Sequence, residues 1–286
     1  MADPKEVKRL QALAYDMRKK LITLTGYYEG IVHIGGDLSV TDLLIALYHY
    51  GMKVDPKNIK APDRDRFLLS KGHAAVSMYM AMTLRGYFDY DTLMKTYGRL
   101  DSAFGEHPCK IQLPGVECST GSLGQGLAIA VGMTFSARMK KEKHRVFCMM
   151  GDGETCEGEV WEAVNTAGSY KLGNLVGIVD RNKQMMTSFD GDYMNLEPYG
   201  DRWRAFNWNV IELDGHDMAS IVDAIDQIPP ITNPKPTVLI AHTTKGKGVS
   251  YMEHEINWHA GSLSKEDTEK ALADIEANYA KLGGGK

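Results

Sequence analysis

The chain has 286 residues, enough to bury a substantial core, and a parallel α/β domain of this size needs no second domain beside it. A formal charge of −4 and the lack of any Lys/Arg-rich tract exclude a basic field for nucleic acid or a membrane surface, which leaves small molecules and proteins as partners. The longer apolar stretches fall far short of a bilayer span, and the start at residues 1–8 is charged rather than signal-like, so a cytoplasmic protein is expected.

Residues 5–28 carry helical periodicity, and Ser39-x-x-Asp42 before LLIALYHY reads as an N-cap opening a second helix, both expected to pack on a sheet. Next come the apolar runs FLLS at 67–70, VFCMM at 146–150, LVGIVD at 175–180, NVIEL at 209–213 and TVLIAH at 237–242. Helical stretches separate them, the signature of a mostly parallel sheet with helices on both faces. Ligands collect at the carboxyl ends of such strands. The polar and glycine-rich segments at 71–73, 151–154, 181–184 and 243–248 do follow strands. Pro229, Pro230, Pro234 and Pro236 mark a connecting loop, and Gly283, Gly284 and Gly285 belong to a flexible tail at about 281–286. Nothing marks a boundary, so residues 1–286 read as one domain. Cys109, Cys118, Cys148 and Cys156 lack metal-ligand spacing and are expected as reduced, mostly buried thiols. The sixteen methionines fit core gaps or a subunit interface better than a metal site.

The chemistry concentrates in GDGETCEGEVWEAVNTAGSYKLGNLVGIVDRN at 151–182. An apolar strand ends in Gly-Asp-Gly, a helix follows, and a second strand delivers Asn182 thirty residues after Asp152. If the strands are neighbours, both oxygen side chains emerge on one rim. A carboxylate, an amide oxygen and a nearby carbonyl suit Mg2+, or Ca2+ or Mn2+ in its place, with phosphate oxygens completing the shell. Gly151 and Gly153 let the backbone approach a phosphate, and a helix N-terminus favours its charge.

On these residues the sequence resembles the thiamine-diphosphate enzymes, whose metal-diphosphate motif is Gly-Asp-Gly followed about thirty residues later by Asn. Further segments resemble the transketolase group: HIGGDLS from His33, LSKGH with His73, EHP with His107, STGSLGQGLAIAVG from Ser119, and WHAG with His259. The resemblance implies the thiamine-diphosphate-binding fold. It implies cofactor contacts from His73, Gly121, Leu123, Asp152, Gly153, Glu154, Asn182 and Gln184, with Mg2+ held by the Asp152 and Asn182 side chains and the Gln184 carbonyl. Leu123 would equally serve as plain core if the helix began elsewhere. His33, His73, His107 and His259 would handle protons while a two-carbon ketol unit moves between sugars, work that imidazoles near neutrality perform. Glu157 and Glu162, expected just inside the helix after Gly-Asp-Gly, match an acidic relay between paired active sites, although acidic residues there are ordinarily solvated dipole partners.

Catalysis in this family also needs a carboxylate beside N1′ of the aminopyrimidine, which belongs to a pyrimidine-binding domain. The resemblance is to the first chain of the split forms, so a separate pyrimidine-domain subunit is the expected partner, with two copies of each chain and phosphorylated sugars as substrates. Arg99, Arg181 and Arg202 are candidates for a substrate phosphate, with solvated surface as the default. Other readings are a subunit resembling 1-deoxyxylulose-phosphate synthase or a decarboxylating dehydrogenase, and a non-catalytic cofactor-binding subunit.

Overall fold

The computed structural model describes residues 2–189, 192 and 194–283; Met1 of the charged start and Gly284, Gly285 and Lys286 of the expected tail lie outside the described residues. Helix α1 (Pro4–Tyr27) starts where the Asp3 carboxylate accepts the Lys5 N–H, with proline in its first turn, and buries a stripe of Leu10, Ala14, Met17 and Leu21. Two fully buried short helices follow, α2 (Ile34–Ser39) and α3 (Thr41–Ala46), the second running into a π turn over Leu47–Gly51.

Ser39 is not the cap expected of it. It ends α2, Val40 precedes α3 without a side-chain cap bond, and the Ser39 hydroxyl donates to the Gly36 carbonyl and to Asp180 Oδ2 at 2.7 Å. In a segment closed to water, pairing a buried carboxylate stabilises more than capping a helix that runs on from its neighbour, and Asp180 lies far away in sequence.

Strands β1 (Arg66–Leu69), β2 (Val146–Gly151), β3 (Leu175–Arg181), β4 (Asn209–Asp214) and β5 (Thr237–His242) form one all-parallel sheet in the order β1-β2-β3-β5-β4. Helices α4 (Ala75–Arg85), α5 (Tyr90–Thr96), α6 (Gln125–Met139), α7 (Gly158–Ser169), α8 (Tyr199–Ala205), α9 (Met218–Asp226) and α10 (Lys265–Lys281) complete the chain. Alternation in the strands divides the core. Phe147, Met149, Val176 and Ile178 face α1, α3, α4 and α9, whereas Val146, Cys148, Met150 and Val179 face α6, α7 and α8. This is the expected α/β architecture, a parallel sheet covered by helices on both faces.

One smaller expectation needs correction. Only Cys148, inside β2, is buried, while Cys109, Cys118 and Cys156 lie outside the strands and are partly exposed. A Ser264–Asp267 capping box starts α10, whose last residue is Lys281.

Candidate functional site

The carboxyl ends of β1, β2, β3 and β5 lie side by side, with Gly151 opposite Asp180 and Arg181 opposite His242, so the segments after them share one rim. His73 lies in the 3-10 turn Gly72–Ala74 after β1, His33 leads into α2, His107 lies in the loop before α6, and His259 ends the turn Ile256–His259. All four expected histidines meet. The His33 ring lies 5.2 Å from His73, 6.5 Å from His107 and 5.4 Å from His259, and His73 lies 5.6 Å from His259, centre to centre.

Their environment disfavours the charged form of three of them, His33, His73 and His259. Burial first, then the neighbouring His107 ring and the Lys71 and Lys245 ammonium groups, lowers the His33 pKa against an opposing pull from Glu106. Burial and Lys71 hold His73 far below the usual imidazole range, and burial with Lys245 brings His259 down to about 3. The Lys245 ammonium reaches His259 Nδ1 at 3.0 Å. An ammonium only donates, so Nδ1 accepts and the ring proton of His259 sits on Nε2.

Below the histidines is a charged layer. Asp180 is fully buried and accepts from Lys71 Nζ at 2.6 Å, Ser39 Oγ at 2.7 Å, Asn182 Nδ2 at 2.9 Å and the Thr243 hydroxyl. Burial alone would raise its pKa; Lys71 and these donors outweigh that and hold it below the carboxylate range. With the Asn182 NH2 group spent on Asp180, its Oδ1 faces the other way and accepts the Gln184 N–H at 3.0 Å. Asp152 Oδ2 takes the Lys183 N–H at 2.6 Å and Arg181 at 3.0 Å, and Oδ1 takes the Gly153 N–H at 2.8 Å. Burial and the Asp180 charge raise the Asp152 pKa despite those donors. Gln184 is buried, its carbonyl accepts from Lys245 Nζ at 3.1 Å, and its side-chain Oε1 has no hydrogen-bond partner.

Glu154 lies beneath the rim. Its carboxylate accepts from Ser70 Oγ, from Gly124 N at 2.9 Å and from Gly151 N at 3.1 Å, tying the ends of β1 and β2 to the start of α6. That side chain is spent within the protein, so Glu154 has only its backbone to offer a ligand. Gly121 passes so close to His107 that a Cβ would lie 2.9 Å from the ring, and Leu123 stands 38% exposed just before α6 rather than in the core. The segment after Gly-Asp-Gly is first a 3-10 turn, Gly153–Cys156; Glu157 is the N-cap of α7 and Glu162 lies in its second turn, both exposed.

Lys71, Lys245 and Asp180 received no role from the sequence, although each stands where an apolar strand meets the rim. For Asp180 a charged residue within the end of a fully buried strand was the available signal, since such a group needs a buried partner. Arg181 is also corrected. It is neither surface nor open to a substrate, for its guanidinium is buried between Asp152 and Glu197, 4.7 Å over the Tyr199 ring. Arg99 lies beside the Tyr27 ring and Arg202 bonds loop carbonyls. No cluster of three or more His, Cys, Asp or Glu side chains able to hold a metal occurs among the described residues. The oxygen set expected here contains one carboxylate, an amide and a carbonyl, and does not depend on such a cluster.

Residues 5–280 match the family described as transketolase, thiamine diphosphate binding domain. The chain is 40% identical to an apulose-4-phosphate transketolase subunit of Phocaeicola vulgatus, over 97% of each chain. It is 38% identical to the 6-deoxy-6-sulfo-D-fructose transketolase subunit SqwG of a Clostridium species, over 88% of this chain and 90% of that one. The crystal structure of transketolase from Campylobacter jejuni superposes with a TM-score of 0.85 at 29% identity, covering 96% of this chain but only 43% of that longer one. The shared architecture is the thiamine-diphosphate-binding fold that the sequence motifs lead one to expect.

Proposed function

The chain belongs to the transketolase family, as a member of its thiamine-diphosphate-binding domain, and from that premise we propose that residues 1–286 act as one domain and form the diphosphate-binding subunit of a two-chain, Mg2+-dependent cytoplasmic transketolase. The carrying observation is the group of four histidines, linked from His259 through Lys245 to the Gln184 carbonyl just after β3. Imidazoles gathered at that place donate hydrogen bonds to sugar oxygens that gain charge.

The residues fit the cofactor. Asp152 supplies a carboxylate, Asn182 an amide oxygen oriented by Asp180, and Gln184 a carbonyl beside a buried, unpartnered Oε1, a hard-oxygen set suited to Mg2+. Lys71 and Lys245 add positive charge beside it, favourable to a diphosphate. In this reading His73, Gly121, Leu123, Gly153 and the Glu154 backbone complete the cofactor cradle. Bound thiamine diphosphate would supply the carbon that holds the two-carbon unit during transfer. His33, His107 and His259 move or hold protons at the sugar oxygens, and His73 orders the diphosphate side.

A separate pyrimidine-domain chain, two copies of each in the working particle, is supported by what the surface exposes. Leu123 and Ile129 are each 38% exposed, and Gly132 interrupts α6 where an added Cβ would meet nothing. A mid-helix glycine costs about 1 kcal/mol without a compensating contact, and close approach of another chain would provide one. Glu157 at the N-cap of α7 and Glu162 in its second turn are both exposed, as a proton relay between paired sites would require. The relatives named for apulose 4-phosphate and a sulfonated fructose point to donors carrying a terminal anionic group, transferred as a ketol unit to an aldose.

The test is a ketol-transfer assay of this chain, its prospective partner and their mixture, with calorimetry of cofactor binding. Only the mixture should turn over, and Asp152→Ala or Asn182→Ala should weaken Mg2+-dependent cofactor binding sharply. Ordinary turnover by this chain alone would reject the two-chain reading, and unchanged cofactor affinity in the Asp152 variant would reject the metal assignment.

A further inference from the structure

A chain of three largely buried polar side chains runs from α1 to the loop that carries Lys245. The Arg18 guanidinium grips Asp42 with two hydrogen bonds, one of them 2.8 Å to Oδ1. Asp42 Oδ2 lies 3.0 Å from His216 Nδ1, and His216 Nε2 lies 2.8 Å from the Thr244 backbone nitrogen. The side chains are only 12%, 8% and 12% exposed in that order. Neighbours fix the protons. Thr244 can only donate through its N–H, so Nε2 is the acceptor and Nδ1 carries the hydrogen that it donates to Asp42. Burial would raise the Asp42 pKa, but the Arg18 charge and hydrogen bonds, with those of His216, pull it well below the carboxylate range and leave a charged acceptor in place.

His216 is itself anchored at the turn after β4. Its own N–H donates to Asp214 Oδ1 at 2.8 Å, and Gly215 donates to the His242 carbonyl at 2.8 Å. A Cβ on Gly215 would lie 2.5 Å from the Thr243 methyl, so the two turns are packed backbone to backbone. Lys245 follows Thr244 directly, and its ammonium is the group that touches His259 and the Gln184 and Met185 carbonyls.

We propose that His216 is a positioning residue: by holding the Thr244 N–H it sets the loop height at which Lys245 meets His259 and so fixes the His259 ring in the tautomer that points Nε2–H into the histidine group. The role of His259 in turnover rests on the transketolase reading; the geometric claim does not. His216 touches no residue of the histidine group and acts only through the main chain and Lys245.

Two amide substitutions separate the two ring nitrogens. Asn places a donor near Nδ1 and keeps the Asp42 pair without reaching Thr244, whereas Gln places an acceptor near Nε2 and keeps the Thr244 bond. In the full chain, alone and assembled with its partner, His216→Asn should speed hydrogen exchange at the Thr244 amide by about tenfold or more and shift the 15N resonance of His259 Nδ1, while His216→Gln stays close to wild type in both. Turnover of the assembled enzyme should fall in the Asn variant, mostly in kcat, and be rescued by Gln. Wild-type exchange and an unmoved His259 signal in His216→Asn would overturn the proposal, as would equal perturbation of both variants, which would mean a purely structural histidine. Absent ketol transfer in the wild-type assembly would refute the functional reading alone, because exchange and the His259 resonance still decide the geometry.

Discussion

His33, His73 and His259 are kept neutral by burial reinforced by two lysine ammonium groups, an arrangement that would cost stability for no return in a purely structural cluster. A base depressed this far is a poor proton sink but a good hydrogen-bond donor in its neutral form, so His259 suits stabilising oxygen charge better than permanent protonation. Replacing His33, His107 or His259 by Ala should lower turnover of the assembled enzyme by roughly 10²-fold or more, with much smaller changes in cofactor affinity. Steady-state kinetics with the authentic donor sugar, compared with calorimetry, check this; near-normal rates in all three variants would remove the histidines from the mechanism. These histidines were legible because each sits in a short segment with its own pattern. Lys71 and Lys245 were not, since a lysine after a strand reads as surface and only the fold reveals the buried Asp180, His259 and carbonyls that receive it.

Elements place these side chains through their ends. The β2-α7-β3 unit sets Asp152 and Asn182 on adjacent strand ends, as the thirty-residue spacing predicts, yet the detail differs: a 3-10 turn intervenes and puts Glu157 at the N-cap. Strands were readable because each is a continuous apolar run bounded by glycine or charge, whereas the Ser39 cap failed because a local pattern cannot weigh a distant buried carboxylate against a helix end. Gly124 is the clearest case of backbone demand. It caps α6 with φ +89°, gives its N–H to Glu154, and leaves 2.8 Å between an added Cβ and that of Glu157. Gly124→Ala should lose about 1–3 kcal/mol of stability through strain at positive φ and displacement of α6. Urea unfolding measures it, and an unchanged midpoint would show that the α6 start is more pliant than its geometry implies.

At the scale of the molecule, the all-parallel sheet was foreseeable from alternating strands and helices, but the order β1-β2-β3-β5-β4 was not, because parallel pairing is set by crossovers rather than by neighbouring residues. The apolar residues exposed along α6 likewise carry no distinguishing pattern in a helix whose other face is core. That strand order also dictates a sequence of events in time. Strand β2 pairs with β3, and β4 with β5, across fewer than thirty residues, but β1 must find β2 across about eighty. Closing the longer loop costs about 1 kcal/mol more in chain entropy, and its reward comes only after the central strands exist to receive it. The intervening segment carries His73, His107, Gly121 and the whole of α6, so this part of the proposed site should be the last part of the domain to become native. Pulse-labelling hydrogen exchange during refolding should find β2 and β3 amides protected before those of β1; simultaneous protection would mean that the long crossover is already organised in the denatured chain. A newly synthesised chain would then hold a finished sheet, open along its β1 edge, before it could hold a cofactor.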